Sequence, residues 1–263
     1  MPDGETRLYP IIGDPITYVK SPERLTASLV AVGQNAMCIA MQVPSGSLEI
    51  VMAGLSAMRN VDGLLVTMPH KFDAFAYCSS ASPISRMLKV VSVMRRNGDG
   101  SWHGDMLDGA AFVKAQIDAG AALRGARVLL LGAGGVGSAI ALALLDAGVR
   151  QLVLSDRDEH KAKHLLQILH DAGHSQVECG QPNTEAIDVL CNATPMGMKD
   201  TDPLPISADQ LVSRLFVGDV IAGHGETALL RAARLRGCKT ASGDQMVEAV
   251  QKMMVGLLVG SSS

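Results

Sequence analysis

Short apolar runs alternate with longer helical stretches along this chain. Leu8–Gly13, Ala36–Val43 and Asp62–Val66 read as strands, each an apolar run of strand length. Helices are predicted over Pro22–Gly33, Ser47–Arg59 and Pro69–Tyr77. Ser21 before Pro22 reads as an N-cap followed by a first-turn proline. Val90–Arg95 and Ser101–Gly104 flank Asn97-Gly98-Asp99-Gly100, a hairpin signal, and Asp108–Ala122 reads as a helix. From Arg127 the alternation is cleaner. Strands are expected at Arg127–Leu131, Gln151–Ser155, Asp188–Cys191 and Leu215–Val220, and a final helix at Met246–Val259. Alternation of this kind predicts an α/β fold whose parallel sheets carry helices on both faces.

One segment adds chemistry to this pattern. Gly132-Ala133-Gly134-Gly135-Val136-Gly137 follows the strand Arg127–Leu131 and opens the apolar run Ser138 to Leu145. That order is strand, glycine turn, helix. The first glycine permits the tight turn, the next lets the backbone approach a pyrophosphate, and Gly137 lets helix and strand pack closely. The helix start holds phosphate charge with its free N–H groups. Asp156 ends the next strand, where an acid can take ribose hydroxyls. The segment therefore predicts a dinucleotide site in a doubly wound Rossmann domain. The glycines begin near position 132, so about a hundred residues of βα units precede them and must form another domain. We expect a substrate domain over residues 1–107, completed by the C-terminal helix within 237–263, and a dinucleotide domain over 108–236. The active site is expected in the cleft between them.

Composition narrows the partners. The chain has 263 residues, 48% of them hydrophobic and 3% aromatic, so its core is aliphatic and methionine-filled. A net charge of −3 gives no reason to expect nucleic acid or an anionic membrane surface. No apolar run reaches membrane-spanning length, and Met1 to Pro10 is too polar for a signal peptide. Cys38, Cys78, Cys179, Cys191 and Cys238 are dispersed with no CxxC, which fits reduced thiols in a cytoplasmic protein. His160 and His164 have metal-pair spacing, but Gln167 and Asp171 continue their face while Ala162, Leu165, Leu166 and Leu169 form the apolar stripe opposite. A solvated helix face is expected there, and no metal site.

Several separate motifs resemble those of the shikimate and quinate dehydrogenase family. Gly13-Asp14-Pro15-Ile16-Thr17-Tyr18-Val19-Lys20-Ser21-Pro22 is similar to the family's Gly-x-Pro-Ile-x-His-Ser-x-Ser-Pro. Gly63-Leu64-Leu65-Val66-Thr67-Met68-Pro69-His70-Lys71 is similar to Gly-x-Asn-Val-Thr-x-Pro-x-Lys, and Gly104-Asp105-Met106-Leu107-Asp108-Gly109 to Gly-Asp-Asn-Thr-Asp-Gly. Asn-Ala-Thr-Pro-x-Gly-Met is intact from Asn192, Ala193 and Thr194 to Met198, and Glu226-Thr227-Ala228-Leu229-Leu230 is close to Glu-Thr-Pro-Leu-Leu. The motifs occur in the family's order along nearly the whole chain. The resemblance implies hydride transfer between a nicotinamide cofactor and a ring hydroxyl or ketone of a cyclic hydroxy acid. It implies Lys71 and Asp108 as the catalytic pair. A cleft lysine can accept or relay the hydroxyl proton, and a neighbouring carboxylate can orient it. It places Ser21, Tyr18, Thr67, Ser92, Leu65 and Val19 around the substrate, and the segment Asn192 to Met198 beside the cofactor.

The departures from the family pattern define a second expectation. Val19 stands where the family has the first serine of a carboxylate-binding pair, and Ser21 keeps the second. Leu65 replaces an asparagine, Ser92 another asparagine, Leu107 a threonine and Ala222 a substrate-side tyrosine. Near the C-terminus Val250 falls where the family has a substrate glutamine, with Gln251 one residue off. Each lost hydrogen bond to a charged carboxylate costs ~1.5–3 kcal/mol. The expectation is a substrate less polar than shikimate, or one carrying its acid group elsewhere. The alternatives are an ordinary shikimate or quinate dehydrogenase with a remodelled shell, and a nucleotide-binding sensor without catalysis; intact Lys71 and Asp108 speak against the sensor.

Asp156-Arg157-Asp158 bears on the cofactor. The NADP-using branch of the family has Asn-Arg-Thr at these positions. Two carboxylates flanking Arg157 repel a 2′-phosphate, so NAD is expected, while Arg157 leaves room for NADP. The sequence leaves monomer and homodimer equally open.

Overall fold

A computed structural model of the protein describes residues 2–17 and 19–259. Tyr18, one of the expected substrate residues, lies outside the described residues. The chain divides into two compact units, Met1–Leu107 with Gln251–Ser263, and Asp108–Val250.

The first unit contains β1 (Arg7–Gly13), α1 (Ser21–Ala31), β2 (Ala36–Gln42), α2 (Leu48–Ala57), β3 (Gly63–Val66), β4 (Cys78–Ala81), α3 (Pro83–Leu88), β5 (Val93–Arg96) and β6 (Trp102–Asp105). Its six-stranded sheet runs β2-β1-β3-β5-β6-β4. β1 pairs in parallel with β2 and β3, whereas β5 runs antiparallel to both β3 and β6. The turn Asn97–Gly100 makes the β5–β6 hairpin, with Arg96 opposite Trp102 and Gly100 in the left-handed region at φ 87°. One face of the sheet is closed by a cluster that includes Ile12, Leu64, Val66, Met52, Met94 and Trp102. Side chains alternate along a strand, so Leu65 faces the other side of the sheet, in register with Ile11 and Val93.

The second unit contains α4 (Asp108–Asp118), β7 (Arg127–Leu131), α5 (Gly135–Asp146), β8 (Gln151–Ser155), α6 (Glu159–Asp171), β9 (Val177–Cys179), β10 (Val189–Asn192), β11 (Phe216–Asp219), α7 (Ala228–Leu235), β12 (Lys239–Ala241) and the start of α8 (Gly243–Val259). All six strands are parallel, in the order β12-β11-β10-β7-β8-β9. The order reverses between β10 and β7. That reversal is the switch point of a doubly wound sheet, where ligands bind outside the carboxyl ends of the strands. Val128, Leu129 and Leu130 are each 0% exposed, as expected for a strand covered on both faces. α5 carries no charge before Asp146 and buries Ile140, Leu144 and Leu145. α4 lies against α5 at Gly109, where a methyl group would collide with the Ala139 carbonyl.

Three local expectations are corrected. Ser21 does not cap α1: it is the first helical residue, Lys20 holds the cap position, and no side-chain cap bond forms. The predicted helix Pro69–Tyr77 shrinks to a 3-10 turn over Asp73–Tyr77: Lys71 O accepts from Val91 N, and Phe75 N donates to Phe72 O, three residues back, in place of an α-helical bond to Lys71 O. β4 and α3 were not expected. Ser79 and Ser80 carry no strand periodicity, and α3 is a single short segment started by Pro83 with the Ser82 hydroxyl accepting from Ser85 N.

Candidate active site

In the first unit, the motif residues collect at the carboxyl ends of β1 and β3. Thr67 N donates to Ile12 O at 2.9 Å and Asp14 N to Met68 O at 2.9 Å, so the loops after the two strands run side by side. Gly13 permits that approach: a methyl group there would overlap the Thr67 methyl. His70 is fully buried and its Nε2 lies 2.6 Å from Val43 O, which anchors the segment carrying Lys71. Lys71 is fixed at both ends. Its backbone carbonyl accepts from Val91 N at 2.9 Å, and its Nζ donates to Val66 O at 2.8 Å. The ammonium is thereby held at the carboxyl end of β3, beside Thr67. Ser92 is next: its carbonyl accepts from Val66 N at 2.8 Å and its hydroxyl accepts from Leu107 N at 3.0 Å. That hydroxyl stitches β5 to the segment leading into Asp108.

The other expected substrate residues differ in exposure. Val19 and Ser21 are half-buried, on the approach to α1 and at its first position. Leu65 is 1% exposed and packed within the sheet. Gln251 is buried, and its Nε2 has no hydrogen-bond partner among the described residues. A buried amide donor without an acceptor is costly unless something supplies one.

In the second unit, the glycine loop joins β7 to α5 next to the switch point. Gly132 has φ 97° and sits against the Ala193 backbone. Gly137 is closed by protein: a methyl there would collide with the Gly132 carbonyl oxygen. Gly134 differs, because a methyl there would meet nothing within 4 Å. The loop is thus packed at Gly132 and Gly137 and open at Gly134, while Ala133, Gly135 and Val136 complete it. Gly134 is also the N-cap of α5 and makes no side-chain cap bond. The first-turn N–H groups of a helix have no intrahelical acceptor, an arrangement suited to an anion.

Asp156 stitches this loop to the end of β8. Its Oδ2 accepts from Ala133 N at 2.7 Å and its Oδ1 from Asp158 N at 2.8 Å. Asp158 caps α6, accepting from His160 N at 3.1 Å, and Arg157 is exposed between them. Beyond β10, Asn192 is fully buried. Its Oδ1 accepts from Thr194 N and Oγ1, and its Nδ2 donates to Met196 O at 3.2 Å and to Asp219 Oδ1 at 3.0 Å. Ala193 N donates to Leu131 O at 2.7 Å, and Met198 closes the turn through Pro195 O. Asp108, 7% exposed, is the first residue of α4. Asp219 escaped the reading of the motifs. Its sequence signal was only an acid after an apolar strand, and the side chains that bond it lie 8 and 27 positions away.

Other candidates recede. Burial pushes the Cys38 and Cys191 thiols up to about 12 and Cys78 to about 11, far from thiolate chemistry. His160 and His164 are both exposed on α6. Among the described residues no three His, Cys, Asp or Glu side chains form a metal-binding group, and no helix is long and apolar enough to cross a membrane.

Comparison with known proteins follows the same division. Residues 11–94 match the family described as shikimate dehydrogenase substrate binding domain, and residues 110–205 match the ThiF family. The shikimate dehydrogenase (NADP(+)) of Rubrobacter xylanophilus is 36% identical over 251 residues, covering 93% of this chain and 88% of that protein. The crystal structure of shikimate dehydrogenase from Aquifex aeolicus superposes with a TM-score of 0.90 at 26% identity, covering 100% of this chain and 96% of that one. The ligand-free 5-ketofructose reductase of a Gluconobacter strain superposes with a TM-score of 0.83 at 25% identity, covering 97% and 93%.

Proposed function

The chain belongs to the shikimate dehydrogenase family of nicotinamide-dependent oxidoreductases, and we propose that it acts on a ring hydroxyl or ketone of a cyclic hydroxy acid other than shikimate, with NAD as its cofactor. The glycine loop fits a dinucleotide: Gly134, where a methyl group would meet nothing within 4 Å, lies at the start of α5. Gly132, Ala133, Gly134, Gly135, Val136 and Gly137 would hold the pyrophosphate, Asp156 the ribose, and the Asn192–Met198 turn the other half. A bound nicotinamide supplies the hydride acceptor or donor. Lys71 takes the proton from the substrate hydroxyl on oxidation and returns it to the carbonyl oxygen on reduction. Asp108 is assigned as the carboxylate that bonds the substrate hydroxyl. Thr67 and Ser21 offer hydroxyls to the substrate.

The observation that carries the substrate reading is the apolar character of the shell. Val19, half-buried before α1, has no hydrogen-bonding group where the family has a serine, and the Ser92 hydroxyl already accepts from Leu107 N. Gln251 Nε2, a buried donor without a hydrogen-bond partner among the described residues, is one helical position from the family's glutamine. Shikimate needs several hydrogen bonds to its carboxylate and hydroxyls. Sites built on such bonds discriminate by up to ~10⁴-fold against ligands that mismatch them. A fold neighbour named for 5-ketofructose illustrates that this scaffold carries other keto substrates. A second reading, shikimate itself, is favoured by the name of the Rubrobacter relative.

The test is kcat/KM for shikimate, quinate and a panel of cyclic hydroxy acids and ketones with both cofactors. We expect shikimate to fall well below ~10⁴ M⁻¹s⁻¹, and Val19→Ser to raise it by about tenfold through one restored bond to a carboxylate. A wild-type value at or above that level makes the second reading correct. Leu65→Asn is a poor companion, because it places an amide in a fully packed sheet position.

For the cofactor, kcat/KM with NAD should exceed that with NADP. Exchanging both Asp156→Asn and Asp158→Thr should narrow or invert the ratio, since Arg157 would face a 2′-phosphate without flanking carboxylates. A wild type that prefers NADP refutes the NAD assignment.

A further inference from the structure

We propose that Asp219 is a positioning residue that locks the loops after β10 and β11 into the single geometry that receives the nicotinamide half of the cofactor. The inference rests on the dinucleotide reading above. Topology gives the direction. Asp156, at the end of β8, lies on one side of the glycine loop after β7, and β10 and β11 lie on the other. With the pyrophosphate at the switch point, the ribose end toward β8 leaves the second nucleotide half over β10 and β11.

Asp219 is the last residue of β11 and is 0% exposed. Its side-chain partners are all neutral donors from separate segments. Asn192 Nδ2 donates to Oδ1 at 3.0 Å, Ile221 N to Oδ1 at 3.2 Å, and Thr227 Oγ1 to Oδ2 at 2.7 Å. Burial pushes the carboxyl above its ordinary range, and these donors pull it back. A carboxylate so placed must be held by every donor it has.

Each partner controls a loop. Asn192 organises the Thr194–Met196 turn through Thr194 N, Thr194 Oγ1 and Met196 O. Thr227 caps α7 by accepting from Leu230 N at 3.3 Å. The segment between Ile221 and Thr227 contains Gly223 at φ 79° and Gly225 at φ 70°. It is fastened also by Val220 N to Asn192 O at 3.1 Å, by Gly223 N to Asp244 Oδ1 at 3.1 Å and by Arg234 on the Glu226 carboxylate at 2.6 Å. Glycine gives that loop many alternative conformations. Asp219 is the atom group common to both loops, acting through Asn192 and Thr227 rather than on any ligand itself.

The experiment compares two ligands. ADP-ribose carries the adenosine, pyrophosphate and ribose but no nicotinamide; NADH carries all of them. Dissociation constants are measured by calorimetry for wild type, Asp219→Asn, Thr227→Val and Thr227→Ser. Hydrogen exchange of the ligand-free proteins is followed over 192–198 and 220–227. In Asp219→Asn and Thr227→Val we expect the NADH constant to rise about tenfold, the size of one lost charge-assisted bond, while that for ADP-ribose stays within twofold or so of wild type. Exchange should quicken in both loops. Thr227→Ser, which keeps the hydroxyl, should match wild type. Equal weakening of both ligands, or no weakening of NADH, overturns the proposal. If Asp219→Asn does not fold, the Thr227 pair decides it alone. A wild type that binds neither ligand refutes the dinucleotide reading itself, a result distinct from a wild type that binds both while the variants behave like it.

Discussion

Lys71→Ala lowers kcat by about 10²–10⁴-fold, the usual contribution of a general acid–base group, while leaving the dissociation constant for NADH nearly unchanged. The reason lies in placement. Lys71 belongs to the first unit and the glycine loop to the second, so its loss removes a proton carrier without touching the phosphate cradle. Among its interactions the variant gives up the bond from Nζ to Val66 O, while His70 with its contact to Val43 O continues to anchor the segment. The checks are steady-state rates with the best substrate of the panel and an NADH titration. A variant that keeps most of its kcat removes Lys71 from the mechanism.

Two glycines of one loop should fail in different ways. In Gly137→Ala the new methyl meets the Gly132 carbonyl, and both sides of the collision are backbone. Nothing flexible can yield, so the start of α5 must move off the turn. Overpacking of this kind costs about 1–3 kcal/mol, and if all of it falls on the loop the affinity for NADH drops about ten- to a hundredfold. Part of the cost should also appear as a melting temperature lower by about 2–4 °C per kcal/mol. In Gly134→Ala the methyl enters open space, and φ −77° suits alanine. Its melting temperature should stay at the wild-type value while NADH binding still weakens, because the methyl stands where a phosphate would approach. Differential scanning fluorimetry with a parallel NADH titration separates the two. A Gly134→Ala protein that binds NADH normally would move the pyrophosphate elsewhere.

The parts of the site legible in sequence are those where backbone geometry restricts residue choice. Gly132 needs a positive φ, Gly137 needs the absence of a side chain, and Asp156 must follow an apolar strand; each leaves its mark within a few positions. The lysine segment was legible only through its resemblance to the family's motif; in the structure Gly13 and Thr67 lie so close that a methyl group on Gly13 would overlap Thr67. The alternation of strands and helices in the second unit was legible because β7, β8, β10 and β11 carry apolar runs, whereas β9 (Val-Glu-Cys) and β12 (Lys-Thr-Ala) do not and were not expected. Contacts over long separations left no such mark. Asp219 takes partners from Asn192, Ile221 and Thr227, and no single window of sequence contains them. Ser21 had the right neighbours for a cap, but Lys20 takes the position. Leu65 reads as a pocket residue by alignment, whereas pairing with Ile11 and Val93 puts it in a packed sheet. Short elements such as β4 and α3 depend on neighbours for their stability, so local pattern does not announce them.

The carboxylate of Asp156 has a further consequence for how such a protein could change over generations. One oxygen holds Ala133 N and the other holds Asp158 N, so the group that would discriminate between cofactors is also part of the scaffold that binds either. A descendant that loses this acid gives up a fastening before it gains tolerance for a 2′-phosphate. The first step of any switch is therefore a decline in the use of both cofactors. Lineages would cross that interval only after some second change had already made the loop rigid by other means. Selection experiments that vary position 156 alone should return mainly weakened proteins, whereas libraries that also vary position 133 and its neighbours should contain the successful switches.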